Sequence, residues 1–384
     1  MRRKIGLLAN FTEKWIGGLY YIQNLLCALN SLPDEEKPEI ILFYHEATPT
    51  QLFDEVNYPY YKKKCLQSLP KWERALYKIA RLINGKNYQL KKIFNKEGIE
   101  SLFPIAQYNP ELVLNARPKY WIFDFQHKFL PQYFSEKEIQ KRDIEFEQIA
   151  LNCEELVVSS YDAKSHFEQF YPESNAQVKV LRFISIIDFN TLAKTSIKKL
   201  RLKYNLGNKP YFLTSNQFWK HKNHIVILES LLSLKSLDFL MVFTGLEEDP
   251  RNPNYVTSLN QFITDNDLRD KVMSLGFISR IDQLCLLHNA VAAIQPSKFE
   301  GWNTFIEDSK SLNKKVIASK LSVHIEQLGD KGSYFETDNS DELSDLIKLE
   351  LENSSADNIT DITTLKNHAL KKSQKFGRNI LEIL

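Results

Sequence analysis

The stretch Gln295-Pro-Ser-Lys-Phe-Glu-Gly-Trp-Asn-Thr-Phe-Ile-Glu-Asp308 decides how this chain is built. An apolar run, Ala290 to Ile294, leads into it, and a second, Val316 to Ala318, follows the helix-forming residues Thr304 to Leu312. Short continuous apolar runs read as parallel strands buried on both faces. Asn303 or Thr304 is available to cap the intervening helix. Glu300 therefore falls in a loop at the carboxyl end of a strand, facing a helix amino terminus. Open α/β sheets hold their ligands in such places. The unpaired N–H groups and positive dipole end of the helix attract phosphate. Glu300 and Asp308, eight positions apart, are placed to take sugar hydroxyls while the helix end takes phosphate.

Working outward, the same alternation of short strands and longer amphipathic helices covers the chain. Strands are expected at Ile5–Ala9, Ile40–Tyr44, Ser101–Phe103, Leu112–Leu114, Trp121–Asp124, Leu156–Ser159 and Val178–Leu181. A second series follows at Tyr211–Ser215, Phe239–Thr244, Val272–Leu275, Ala290–Ile294 and Val316–Ser319. Helices fit between most of them, as at Gly18–Leu32, Glu136–Asn152, His224–Leu234 and Ile281–Asn289. This βαβ order makes the fold class α/β, with parallel sheets covered by helices on both faces. Two series imply two doubly wound domains. The polar, basic stretch Ile186–Tyr204 reads as the linker, and Asp361–Leu384 as a terminal helix.

Composition is that of a globular protein: 384 residues, 43% hydrophobic, 26% charged, net charge +2. That balance argues against a nucleic-acid binder. The cysteines Cys27, Cys65, Cys153 and Cys285 are far apart, with neither metal-ligand nor disulfide spacing, so a cytoplasmic setting is expected. Met1-Arg-Arg-Lys-Ile-Gly-Leu-Leu-Ala opens like a secretory leader, but the apolar run is short and Glu13 and Lys14 soon follow, so none is expected. Charge is uneven. Residues 61–96 hold eleven Lys or Arg and one acid, Glu73. Within them Lys71, Arg74, Lys78 and Arg81 share one helical face, with Trp72 and apolar residues on another. Such a helix can lie on an anionic membrane surface, with Lys62, Lys63 and Lys64 adding to the attraction. The plainer alternative is a surface helix packed on its own domain.

The twelve glycines exclude two nucleotide-binding devices. Gly17-Gly18 follows the first strand and suits close backbone approach to a ligand. It is not the G-x-G-x-x-G fingerprint of a nicotinamide enzyme, and the Walker pattern is missing too.

Taken together, these motifs resemble glycosyltransferase family 4. The family's E-G-F-G-x-x-x-x-E reads here as Glu300-Gly-Trp-Asn-Thr-Phe-Ile-Glu-Asp308, followed by Val316-Ile-Ala-Ser319. Ser215-Asn-Gln-Phe-Trp-Lys-His-Lys-Asn-His224 resembles the loop with a phosphate-binding lysine. Gly17-Gly18 resembles the glycine pair of the amino-terminal domain, and Trp121-Ile-Phe-Asp-Phe-Gln-His127 the loop with an acceptor-side histidine. The resemblance covers most of the chain and is strongest from Tyr211 to Gln327.

The resemblance implies the GT-B fold, two doubly wound Rossmann-like domains facing across a cleft. Residues 1–190 would bind the acceptor and 191–360 the nucleotide-sugar, with helix 361–384 packing back towards the first. It implies a retaining hexosyltransferase that uses a UDP- or GDP-sugar, with no metal and no bound cofactor. The acceptor would be a glycan or lipid-linked glycan of bacterial surface polysaccharide or lipopolysaccharide assembly, met in the cytoplasm or at the inner face of its membrane. Glu300, Lys222 and His127 become the catalytic candidates. Gln217, Lys222, Glu300, Gly301, Trp302, Asn303, Thr304 and Asp308 become the donor set, and Gly17, Gly18 and His127 the acceptor side. Arg280 is a further phosphate candidate. Ser160 and Arg182 lie at strand ends facing the expected cleft, Trp219 and Trp302 border the donor pocket, and His221, His224 and His324 read as structural. Three positions depart from the pattern. Asp308 stands for a glutamate that holds ribose, with Glu307 beside it; Gln217 stands for an arginine and Asn303 for a glycine. A GT-B-like epimerase, hydrolase or phosphorylase, or a degenerate nucleotide-binding scaffold, remains the alternative.

Overall fold

The computed structural model describes residues 2–9, 16–66, 72, 75, 88–109, 117–354 and 360–384. The chain divides into two compact units. The first comprises Met1–Phe125, Gln140–Ile184 and Leu370–Leu384; the second comprises Gln126–Ile139 and Ser185–Ala369.

In the first unit one sheet holds β1 (Lys4–Ala9), β2 (Glu39–Tyr44), β3 (Tyr61–Cys65), β4 (Ser101–Ile105), β5 (Arg117–Ile122), β6 (Glu155–Val158) and β7 (Gln177–Val180). Their order is β3-β2-β1-β4-β5-β6-β7, and every neighbouring pair is parallel. Ile40 through Phe43 are all buried, as a strand covered on both faces requires. In the second unit β8 (Tyr211–Ser215), β9 (Leu240–Thr244), β10 (Val272–Ser274), β11 (Ala293–Gln295), β12 (Val316–Ser319) and β13 (Gly332–Phe335) form a parallel sheet in the order β10-β9-β8-β11-β12-β13.

Successive strand residues point to opposite faces, so the apolar runs fill two cores. Leu213, Val242, Ala293 and Ala318 pack on one side with Leu286, Ile306 and Leu365 of the helices Arg280–Asn289, Thr304–Ser311 and Ile362–Ile383. Phe212, Met241, Ile294 and Ile317 pack on the other with Ile227, Leu259 and Ile347 of the helices His224–Ser230, Tyr255–Asp265 and Ser340–Glu352. The doubly wound α/β expectation holds in both units.

Several local readings change. The basic run Tyr61–Cys65 is an edge strand, and its lysines 62, 63 and 64 meet Glu39, Asp54 and Glu97 at 2.8, 2.6 and 3.0 Å. Charge suits an exposed sheet edge, so these lysines are engaged locally. The expected linker is no open tether. Ile186–Tyr204 contains the helices Phe189–Lys194 and Ile197–Lys203, capped by Asp188 and Ser196. Phe189, Leu192 and Leu200 join the core, because the apolar spacing hidden among the polar residues gives each short helix a buried side. β5 starts at Arg117, ahead of the expected Trp121. β11 begins at Ala293 because Ala290 closes the preceding helix; Val291 and Ala292 bond only to β8. β13 and the helices Tyr161–Phe170, Ser322–Leu328 and Ser340–Glu352 are additional elements. The expected strand Leu112–Leu114 and the basic face Lys71, Arg74, Lys78 and Arg81 lie outside the described residues, whereas Trp72 is 66% exposed.

Candidate functional site

Two neighbouring strands of the second sheet, β8 and β11, end beside each other, and their loops build the site. After Ser215 the main chain stays tied to the next strand: Asn216 N donates to Thr244 O and Phe218 N to Leu246 O, both at 3.0 Å. Gly245 permits this approach. Its φ is +140°, and a Cβ there would lie 1.9 Å from the Asn216 carbonyl oxygen. A tight turn, Lys220–Lys222, then leads through left-handed Asn223 (φ 56°) into the helix His224–Ser230. The loop after β11 is stitched to this turn by Lys298 N, which donates to His221 O at 2.8 Å.

The stitching brings Lys222 and Glu300 together. Lys222 Nζ donates to Glu300 Oε1 at 2.6 Å, with the side chains 18% and 9% exposed. The same oxygen accepts from Ser297 Oγ at 2.6 Å and Gln295 Nε2 at 3.2 Å. Gln295 is itself oriented by Asn216, whose Nδ2 donates to its Oε1 at 3.1 Å. Among the described residues Glu300 Oε2 has no partner, and Lys222 uses one of its three protons. The pair thus keeps a carboxylate oxygen and ammonium protons for a ligand.

Next comes the helix Thr304–Ser311. Asn303, not Thr304, is its cap: Asn303 Oδ1 accepts from Ile306 N at 2.9 Å. Its φ of −107° is ordinary extended backbone, so a glycine is not required there. Gln327 clamps the cap, accepting from Asn303 N at 3.1 Å and donating to Asn303 O at 3.0 Å. Glu307 is engaged by Lys310 and Gln327 at 2.7 and 3.0 Å. Asp308 is buried, and both its oxygens accept from the Arg280 guanidinium at 2.5 Å. Arg280 also donates to Ser185 Oγ and Gln283 Oε1 at 3.0 and 2.8 Å. The structure therefore pairs the expected ribose residue with the expected phosphate residue.

The remaining candidates are placed as follows. Gln217 lies half-buried in the loop after β8, and Gly301 and Trp302 lead into Asn303. Lys310 Nζ sits 5.6 Å from the Trp302 ring centroid. His127 is buried in the short helix Gln126–Phe129, which groups with the second unit although it precedes residue 190. Phe129 of that helix stacks on Phe299 at 5.3 Å, next to Glu300 in sequence. Gly17 and Gly18 occupy the first turn of the helix Ile16–Asn30 in the first unit, so the fold groups them apart from His127. Ser160 caps the helix Tyr161–Phe170, accepting from Ala163 N at 2.9 Å. The Arg182 guanidinium lies over the Tyr161 ring.

Three buried histidines within electrostatic reach of Lys222 stay neutral. Burial, with help from the neighbouring Lys222 charge, holds His221 well below its usual range and brings His224 to about 3. Burial also lowers His324. Its Nδ1 lies 2.8 Å from Ser319 O, so the proton sits on Nδ1 because a carbonyl can only accept. Ser319 Oγ in turn donates to Ser297 O at 2.6 Å. Ser297, Gln295, Asn216 and Gln327 had no assigned role in the sequence, although two lie within the opening stretch. Nothing in sequence marks a loop polar residue as the one that orients a carboxylate. Among the described residues there is no cluster of three or more His, Cys, Asp or Glu that could hold a metal ion.

Comparison with known proteins adds the following. Residues 196–366 match the family model described as Glycosyl transferases group 1. The O-antigen chain mannosyltransferase RfbU of Salmonella typhimurium is 25% identical over 225 residues, 58% of this chain and 58% of that protein. The chain therefore spans about three fifths of that relative's length. Among solved structures, a glycosyltransferase of Rickettsia africae matches with a TM-score of 0.69 at 19% identity, covering 100% of this chain and 97% of that one. Anabaena HepE in complex with UDP matches with a TM-score of 0.68 at 18% identity, covering 99% and 98%. These likenesses show a GT-B fold.

Proposed function

We propose that this chain, which carries a group 1 glycosyltransferase domain at residues 196–366, moves a hexose from a nucleoside-diphosphate sugar to a glycan or lipid-linked acceptor with retention of configuration, as a member of family 4. The observation that carries this reading is the Lys222–Glu300 pair, 2.6 Å apart at the carboxyl ends of two adjoining parallel strands and beside a helix amino terminus. Breaking the bond from anomeric carbon to phosphate puts negative charge on the departing diphosphate. Lys222 and the free amides at the start of the helix Thr304–Ser311 stabilise that charge where it grows. Glu300, fixed through Oε1 by Ser297 and Gln295, offers Oε2 to a hydroxyl of the donor sugar. Asp308 holds Arg280 in place, and meets ribose only by sharing that bidentate pairing. His127, Gly17 and Gly18 are proposed for the acceptor side.

The named relatives guide the choice of donors. One is described as a mannosyltransferase of an O-antigen chain, and another was solved with UDP-glucose. GDP-mannose and UDP-hexoses are therefore the first donors to try, in a role in surface polysaccharide or lipopolysaccharide assembly. The proposed place is the cytoplasm, at the membrane's inner face, reached through residues 61–96.

The test begins with thermal unfolding in UDP, GDP, ADP and dTDP, since a ligand that binds only the folded state raises its midpoint. Donor turnover follows. Glu300→Ala and Lys222→Ala should each lower turnover by about 10²-fold or more in protein that still unfolds cooperatively. No shift with any nucleotide, or full turnover in both variants, would defeat the reading. Nucleotide and free sugar released with no acceptor product would favour a hydrolase or epimerase.

A further inference from the structure

A cavity of about 610 Å³ opens beside the loop that carries Lys222. Its walls include Gln132, Tyr133, Phe134, Glu138, Trp219 and Arg251, and every one of these belongs to the second unit. The volume is in the range that holds small-molecule ligands. Trp219 and Lys222 share one turn, because Lys222 N donates to Trp219 O at 2.8 Å. The cavity wall and the diphosphate-side lysine are thus parts of one local structure.

The side chains form a particular chemical set. The Arg251 guanidinium lies 4.0 Å from the Phe134 ring centroid and 4.9 Å from that of Trp219. Its Nε donates to Glu138 Oε1 at 3.3 Å, while its two terminal nitrogens have no partner among the described residues. Glu138 Oε2 is taken by Ser135, whose hydroxyl and amide donate to it at 2.9 and 3.0 Å. Lys220 Nζ lies 5.8 Å from the Tyr133 ring centroid. Buried Asp249 fixes the arrangement from below, accepting from Lys220 N and Arg251 N at 2.9 Å each. The half-buried rings of Tyr133 and Trp219 therefore stand beside a rigid fork of donors and a carboxylate acceptor. A pyranose presents the matching pair of surfaces: an apolar C–H face for the rings, and hydroxyls that accept from a guanidinium and donate to a carboxylate. A nucleotide phosphate fits less well, because Glu138 would repel it.

We infer that this cavity is a sugar-ring subsite and holds a pyranose of the acceptor glycan near the donor loop. The inference rests on the glycosyltransferase reading for the source of that sugar. The experiment is saturation-transfer NMR on the whole chain with methyl α-mannoside, methyl α-galactoside, methyl α-rhamnoside and methyl α-glucoside at millimolar concentration. At least one should receive saturation on its ring protons. Tyr133→Ala and Arg251→Ala should each cut that signal by about five-fold or more, with the unfolding midpoint and the nucleotide-induced shift unchanged. No transfer to any of the four, or equal transfer in both variants, overturns the subsite. A sugar signal that needs Tyr133 and Arg251 in a chain that no nucleotide stabilises would defeat the donor reading and leave the subsite standing.

Discussion

Glu300 gathers Lys222, Ser297 and Gln295 on one oxygen, and this concentration leaves its second oxygen without a partner among the described residues. At the residue scale, the place of Glu300 in a loop between strand and helix was legible in the residues and Lys222 was picked out by the family resemblance; the structure shows that the two side chains meet. Asp308 was less legible. Its partner, Arg280, lies 28 positions earlier, and only folding reveals the pairing. His224 carries a prediction of its own. It is fully buried, stacks on Phe218 at 4.3 Å, and burial lowers it to about 3. In the unfolded chain its value is about 6.5, so unfolding takes up a proton between those limits. Its stabilising contribution is full above about pH 6.5 and falls as pH drops through that window, by up to about 1.4 kcal/mol per pH unit. Urea unfolding at pH 7 and pH 5 should show this loss in the wild type and a smaller one in His224→Phe. Equal losses in the two proteins would sink the idea.

At the scale of elements, strands were the easier half. Parallel strands covered on both faces need continuous apolar runs, and β1, β2, β8 and β12 stand within a residue of where such runs predict them. β3 escaped because an edge strand needs no apolar face; its lysines answer acids on neighbouring elements. The two short helices between 186 and 204 escaped because a helix of six or seven residues shows barely two turns of periodicity. The turn after β9 is the sharpest local constraint on the site. Gly245 holds a backbone angle that side chains rarely adopt, against the Asn216 carbonyl. Gly245→Ala should displace residues 216 and 217 and cost about 3 kcal/mol or more, read as a clear fall in unfolding midpoint together with a weakened nucleotide shift. An unchanged midpoint would show that the loop yields freely.

At the scale of the whole molecule, charge is the feature that local packing does not explain. Residues 61–96 carry a formal +10 while the chain as a whole carries +2. Lys62, Lys63 and Lys64 are neutralised by acids, so attraction to an anionic surface falls to the later basic residues and exposed Trp72. The chain is expected to co-sediment with phosphatidylglycerol-containing vesicles at low salt and to release as salt screens the attraction. Failure to bind at low salt would remove the membrane from the proposal. Among the described residues no helix is long and apolar enough to cross a bilayer. The sequence by itself determined two parallel-sheet units and the loop that carries Glu300, because burial on both faces of a strand and the βαβ order leave direct marks in the pattern of side chains. Only the tertiary structure decided that residues 126–139 group with the second unit, that Asp308 faces Arg280, and that Tyr133, Trp219 and Arg251 line one open cavity. Those contacts join residues far apart in the chain, and their energies depend on distance in space, which no local pattern encodes.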